Sequence, residues 1–385
     1  MFDDYPSWKY VCERCTYEAA WDYRGWRCPA CGGAFRIDGL DPISPPLIDR
    51  DDPTLWRYSA TLPVTKGVGR SLGEGMTPLV RGKLGGWPVW FKCDHLLPTG
   101  SFKDRGAAVL SAHLKRLGAE RIIVDSSGNA AAAMAGYAAA NGMQCVVYAP
   151  ATTSPGKLVQ ARAFGATVHL IEGNREAVAS AAQEAAERDA GAYYASHNWH
   201  PVFVEGVKTW AIEVREQLGY RTPDSAFVPT GGGSAFVGAY VGFCDQMPAL
   251  VACQPAACAP IHDAWKSGHS ATDVLESRSG RILPVTPGTT IAEGTRIGAP
   301  AREVMLLNSI AYSGGWAEAV DEDEIVTALR ELWGQGLYVE PTAAVGAAGF
   351  IRASRSGLVE RDADNVVLLT GSGLKATDAI ASLLA

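Results

Sequence analysis

Short apolar runs alternate with helix-length runs through most of this 385-residue chain, and that alternation leaves few folds open. Arg121-Ile-Ile-Val-Asp125 is followed by a predicted helix from Asn129 to Asn141, closed by Gly142. Gln144-Cys-Val-Val-Tyr148 precedes a helix from Pro155 that stops at Gly165, and Thr167-Val-His-Leu-Ile171 leads into an alanine-rich helix between Arg175 and Asp189. The pattern resumes with Ala226-Phe-Val-Pro229, a helix from Ala235, and Leu250-Val-Ala-Cys-Gln254. A helix after Asp321-Glu-Asp-Glu324 and the strand Asn365-Val-Val-Leu-Leu369 complete it. Short buried strands joined through helices require right-handed crossovers and parallel sheet, so the expected class is α/β. Ligands of such sheets bind beyond the carboxyl ends of the strands, so the loops that follow strands are the candidate site segments.

The length allows two ordinary domains and a small module. No run of about 18 apolar residues exists, and Met1-Phe-Asp-Asp-Tyr-Pro6 lacks a basic region followed by an apolar core, so a cytoplasmic protein with no membrane partner is expected. The net charge of −7 argues against a nucleic-acid partner, which needs a basic face to displace counterions. Asp41-Pro-Ile-Ser-Pro-Pro46 reads as a linker, and the polar stretch from Lys266 to Pro287 as an irregular insertion.

Four of the nine cysteines fall in the first forty residues, as Cys12-x-x-Cys15 and Cys28-x-x-Cys31. Each pair presents two thiolates to one tetrahedral ion, and Gly32-Gly33 lets the second pair turn tightly; the reading is a structural Zn2+ ribbon on a hairpin carrying Trp21 and Trp26. Four sulfur ligands leave no open coordination position, so this metal is given no catalytic role. A redox dithiol is the competing reading, although neither pair follows a strand in a thioredoxin-like context. Acidic residues offset the basic ones here, so the ribbon carries no basic stripe for nucleic acid.

Among the loops, Pro98-Thr-Gly-Ser-Phe-Lys-Asp-Arg-Gly106 joins the strand Val89–Cys93 to a helix running from Lys103 to Leu117. A lysine in a first helical turn meets the positive end of the dipole, which favours a neutral, nucleophilic amine; a solvated lysine after a Pro-Gly turn is the other reading. Pro229-Thr-Gly-Gly-Gly-Ser234 lies between strand and helix, where backbone N–H groups suit a phosphate dianion or simply a flexible turn. Ser126-Ser-Gly-Asn129 suits a carboxylate or an N-cap cluster, and Thr370-Gly-Ser-Gly373 a ligand contact or a plain turn.

Ser101-Phe-Lys103-Asp-Arg-Gly106 resembles the cofactor-bearing lysine motif of the pyridoxal-phosphate enzymes of fold type II, and is most similar to the threonine synthases. Seven further segments match in the family's order: Gly73-Glu-Gly-Met-Thr-Pro-Leu79, Ser126-Ser-Gly-Asn129, Glu205-Gly-Val-Lys-Thr209, Pro229-Thr-Gly-Gly-Gly-Ser234, Ala292-Glu-Gly294, Glu340-Pro-Thr342 and Thr370-Gly-Ser-Gly-Leu-Lys375. The resemblance implies a two-domain fold type II enzyme with parallel-type sheets flanked by helices. Its expected segments are a zinc ribbon over 1–40, a large domain over 41–120 and 206–385, and a small α/β domain over 121–205. It implies pyridoxal 5'-phosphate on Lys103, its ring oxygen at Asn129, its phosphate in the loop Gly231, Gly232, Gly233 and Ser234, and its pyridine nitrogen at Thr370. Ser101, Ser126, Ser127 and position 203 would meet the substrate, and a homodimer is expected.

The implied reaction is that of a carbon–oxygen lyase, O-phospho-L-homoserine plus water giving L-threonine plus phosphate. Departures fall on the substrate side. The family's phosphate-gripping arginine is Phe203 here, the hydroxyl residue after the asparagine is Ala130, and Leu97 replaces an Asn or His. Losing a charge-assisted, bidentate contact removes one of the stronger phosphate interactions. His197, Asn198, Arg162 and His200 are the candidates to replace it. The alternatives are β-elimination or β-replacement on serine, threonine or an O-activated amino acid, and a non-catalytic regulator.

Overall fold

The computed structural model describes residues 7–276 and 282–385, so the opening Met1–Pro6 and positions 277–281 of the polar insertion lie outside the described residues. In chain order, β1 (Lys9–Cys12), β2 (Glu18–Ala20) and β3 (Phe35–Asp38) form an antiparallel sheet of order β2-β1-β3. A hairpin of β4 (Leu79–Leu84) and β5 (Trp87–Lys92) turns through Gly85 and Gly86, both at positive φ (55° and 80°), the requirement of the tight turn that matches strand twist. The strands β6 (Arg121–Asp125), β7 (Gln144–Pro150), β8 (Thr167–Ile171) and β9 (Ala192–Tyr194) make an all-parallel sheet of order β8-β7-β6-β9. Finally β10 (Ser225–Pro229), β11 (Ala249–Pro255), β12 (Trp316–Val320) and β13 (Asn365–Leu368) join the hairpin in a sheet of order β12-β11-β10-β13-β5-β4, parallel except for β4. The α/β class read from the alternation is the observed one.

The helices are α1 (Lys103–Arg116), α2 (Asn129–Ala140), α3 (Pro155–Ala163), α4 (Arg175–Arg188), α5 (Pro201–Val207), α6 (Thr209–Gln217) and α7 (Ser234–Phe243). They continue with α8 (Pro260–Lys266), α9 (Ala271–Glu276), α10 (Glu303–Ser313), α11 (Glu322–Gly334), α12 (Pro341–Arg355) and α13 (Thr377–Leu384). The acidic run at 321–324 is a capping box: the Asp321 carboxylate accepts from Glu324 N–H at 2.9 Å, and Glu324 returns the bond to Asp321 N–H at 2.9 Å. Helix α9 puts regular structure inside the stretch expected to be irregular, since six residues between Gly268 and the undescribed positions close helical bonds.

Two compact units result, one from residues up to Gly75 together with Lys103–Val207, the other from Met76–Phe102 together with Lys208–Ala385. The expected boundary at 120/121 falls inside the first unit, because α1 packs on α5 and α2 there. The small domain's core collects Ile123, Ala182, Ala192 and Tyr194. The ribbon belongs to this unit as well: the Trp26 ring meets Tyr194 and Trp199 edge-on at 5.2 and 5.1 Å, and Arg24 donates to Ala190 O at 2.7 Å. It is therefore packed against its neighbours and not free-standing. In the second unit β10 is buried along its whole length, and Phe227 packs edge-on against Phe350 and Trp316 in a hydrophobic core.

Candidate active site

In the first unit, β6 ends at Asp125 and the chain turns through Ser126, Ser127 and Gly128 into α2 at Asn129. No side chain caps α2; Ser126 Oγ instead accepts from Gly128 N–H at 3.3 Å, which disfavours the N-cap reading of this loop. Lys103 opens α1 and is half-buried, with Nζ 5.6 Å from the centroid of the Phe203 ring. Phe203 on α5 is fully buried and lies against Gly106, where any Cβ would come within 2.5 Å of the ring. One turn along α5, a Cβ on Gly206 would stand 2.2 Å from Arg105 O. Those two glycines let α1 and α5 touch backbone to backbone. The Glu205-Gly-Val segment thus has a packing reason that its sequence did not disclose: it fixes the direction in which α1 presents Lys103.

Behind the Ser126–Asn129 loop sits a polar cluster whose core members sequence reading missed. Arg175, the first residue of α4, pairs with Asp125 at 3.3 Å, while Tyr194 and Ser196 approach the same carboxyl. Burial pushes the Asp125 carboxyl above the usual carboxylate range, with the Arg175 charge opposing it. His197, whose ring lies 6.0 Å from that of Phe203, is pushed well below the ordinary histidine value by burial and then by the charges of Lys103 and Arg175. Its imidazole is neutral at pH 7. The only signal in the sequence was positional, an arginine opening a helix after a parallel strand and an aspartate closing one. Glu74, in the Gly73–Leu79 segment, is a buried hub that accepts from Trp56 Nε1 at 2.7 Å, Tyr137 OH at 2.9 Å and Leu72 N–H at 2.7 Å, a structural role.

In the second unit, the segments 99–102 and 370–375 lie side by side. Phe102 N–H donates to Thr370 O and Ser372 N–H to Gly100 O, both at 2.9 Å; Ser101 bridges Gly371, and Lys375 Nζ donates to Thr99 O at 3.0 Å. This small ladder buries the hydroxyls of Ser101 and Thr370, and neither has a hydrogen-bond partner among the described residues. A buried hydroxyl without a partner costs ~1–3 kcal/mol, so the pair marks a place for a polar ligand. Beyond β10, Gly231, Gly232 and Gly233 lead into Ser234 at the N-terminus of α7. Gly233 has φ 89°, and a Cβ on Gly231 would stand 2.8 Å from Thr295 Cα, so both positions require glycine. The neighbouring motifs converge there too: Gly294 N–H donates to Thr342 Oγ1 and Glu340 N–H to Gly371 O, both at 3.0 Å.

Residues 70–371 match the family described as pyridoxal-phosphate dependent enzyme. The threonine synthase of Methanocaldococcus jannaschii is 34% identical over 372 residues, 91% of this chain and 88% of its own. That of Methanosarcina acetivorans is 32% identical over 384 residues, 94% and 91% of the two chains. Maize serine racemase, 20% identical, superposes with a TM-score of 0.66 over 80% of this chain and 91% of its own, which shows a shared fold. With a family match that spans both strand-end loops and full-length relatives above 30% identity, the chain belongs to the pyridoxal-phosphate-dependent enzymes of fold type II.

Proposed function

We propose that the protein is a threonine synthase-like carbon–oxygen lyase that converts O-phospho-L-homoserine and water to L-threonine and phosphate. The observation that carries this reading is the likeness to threonine synthases along nine-tenths of the chain. Pyridoxal phosphate, when bound, supplies the electron sink for charge developing at the substrate's Cα. The residues present fit that group. Lys103 would hold its aldehyde carbon, Asn129 its ring oxygen, and the N–H groups of Gly231, Gly232, Gly233 and Ser234 its phosphate; the partnerless hydroxyl of Thr370 would take its ring nitrogen.

Each residue's part follows from its setting. The helix dipole behind Lys103 lowers the cost of the neutral amine, against the pull of the Phe203 ring face toward the ammonium. The amine would take protons from the substrate's Cα and Cβ as phosphate leaves Cγ, and return them at Cγ and, once water has added its hydroxyl at Cβ, at Cα. Ser126 and Ser127, left out of helix capping, would receive the α-carboxylate together with Ser101. Phe203 would wall the site. A neutral Thr370 hydroxyl cannot hold the ring nitrogen protonated as a carboxylate would, so Lys103 would carry more of the proton transfer.

The ribbon would hold one zinc ion. Cys12 and Cys31 Sγ lie 3.4 Å apart and Cys15 and Cys28 Sγ 3.6 Å apart, near the ~3.8 Å edge of a tetrahedron with ~2.3 Å Zn–S bonds. A cytoplasmic location and a homodimer complete the proposal. The second reading, β-elimination or β-replacement on serine, threonine or an O-activated amino acid, is favoured by one residue, Phe203 at the arginine position. A phosphate-release assay separates them. Release from O-phospho-L-homoserine with threonine formed in equal amount supports the first reading; ammonia and a 2-oxo acid from serine or threonine, without phosphate release from phosphohomoserine, overturn it.

A further inference from the structure

If position 203 does not grip the substrate's phosphate, the first unit must do so elsewhere or lack the contact. Of the replacements that the sequence suggested, Arg162 is exposed in the last turn of α3, and His200 packs on the rings of Tyr10 and His113 at 6.2 and 5.9 Å. Arg175 is better placed. It opens the 14-residue α4 at the carboxyl end of the parallel sheet and reaches from the end of β8 to Asp125 at the end of β6, immediately before the Ser126–Asn129 loop. Its contacts there are long: Nη2 is 3.3 Å from Asp125 Oδ2, and Nη1 and Nη2 are 3.3 and 3.4 Å from Asp125 O. Charge-assisted bonds run at about 2.7–2.9 Å, so the guanidinium is not saturated by its partner, and its side chain stays 39% exposed.

His197 supplies the second, independent observation. It is buried, its Nδ1 has no hydrogen-bond partner among the described residues, and its ring adjoins Phe203, whose face carries the Lys103 ammonium. Burial and the combined positive charge of Lys103 and Arg175 keep it uncharged. The neutral ring, its Nδ1 open, can offer an anion a hydrogen-bond donor without a further charge to desolvate.

We infer that Arg175, aided by the neutral His197 that adjoins Phe203, holds the distal anion of the substrate, a phosphate monoester carried by an amino acid, in place of the arginine absent at position 203. The inference rests on the function proposed above. It makes Arg175 a specificity-determining residue of the small domain and leaves Phe203 to shape the wall next to Lys103.

The test uses holoenzyme and the variants Arg175→Gln and Arg175→Lys. Equilibrium binding of inorganic phosphate, KM and kcat for O-phospho-L-homoserine, and inhibition by L-homoserine, which lacks the phosphate, are measured for each. Arg175→Gln is expected to weaken phosphate binding and raise KM by about 10- to 100-fold, the worth of one charged hydrogen-bonding partner, with L-homoserine inhibition and cofactor absorbance unchanged. Arg175→Lys, which keeps the charge and answers for a Gln variant that fails to fold, should recover part of the loss. Unaltered phosphate affinity and KM in both variants overturn the inference and leave the proposed function standing. Wild-type enzyme that binds phosphate through Arg175 but does not convert O-phosphohomoserine keeps the anion site and overturns the substrate reading. Wild-type enzyme that does neither overturns both.

Discussion

The two units prepare for a ligand in opposite ways. On the function proposed, what would meet a ligand in the second is mostly backbone: a glycine loop at a helix N-terminus, and a short ladder that strands two hydroxyls without partners. In the first, it is mostly charged and polar side chains: Lys103 over the Phe203 face, Arg175 on Asp125, and a neutral His197. Backbone geometry admits few substitutions, whereas side chains on a fixed scaffold change one at a time. A cofactor shared by many reactions is suited to the former and a particular substrate to the latter. Of the departures from the family pattern, Phe203 and Ala130 fall in the first unit and Leu97 in the second.

The largest effect should come from breaking the backbone-built half. Gly231→Val places a side chain against Thr295 Cα, 2.8 Å from an ideal Cβ, and overpacking against backbone costs ~1–3 kcal/mol. Cofactor retention after dialysis should fall about 10- to 100-fold. Full absorbance after dialysis would show that this loop does not hold the phosphate.

The side-chain-built half should show itself in acid. Burial pushes His113, on α1, down to about 3, and His197 falls in the same direction. A depressed histidine leaves the unfolded chain binding more protons than the folded one. Its contribution is fully present above the ordinary value near 6.5 and is lost as pH falls toward the folded value. Stability should therefore decline between about pH 6.5 and 3, by up to ~1.4 kcal/mol per pH unit for each such group. Denaturant titrations of wild type and His113→Gln check this, and equal slopes for the two would remove His113 from the account.

A smaller and more discriminating change is Thr370→Val. Since Oγ1 has no partner among the described residues, the cofactor-free protein should keep its stability or gain up to ~1 kcal/mol, while turnover of the loaded enzyme falls roughly 10-fold. Destabilised cofactor-free protein would mean that the hydroxyl serves the fold. Least of all should turnover respond to Cys12→Ser, which is expected to abolish zinc content, lower Tm by several degrees and leave kcat within about 2-fold. Lost turnover in a folded, zinc-free variant would give the metal more than a structural part.

What the sequence disclosed follows the same division. The strands β6, β7, β8, β10, β11 and β13 were readable as apolar runs, and the glycine loop and Thr370–Gly373 as loops that follow strands. Strand β12, Trp-Ala-Glu-Ala-Val, and strand β9, only three residues long, lack a sufficiently apolar run and are strands because neighbours pair with them. Asp125 and Arg175 were hidden as a pair for a different reason. They lie at the ends of elements far apart along the chain, and only the closing of the β8-β7-β6-β9 sheet brings Arg175 to Asp125. Likewise Gly106 and Gly206 read as motif letters until a Cβ at either is seen to collide across the α1–α5 contact.

Whether Lys103 carries the cofactor is tested most directly by borohydride reduction of the purified enzyme followed by peptide mass mapping. One pyridoxyl adduct per chain is expected, on the peptide containing Ser101-Phe-Lys103-Asp-Arg105. An adduct recovered on any other lysine, the buried Lys92 or Lys208 included, would contradict it.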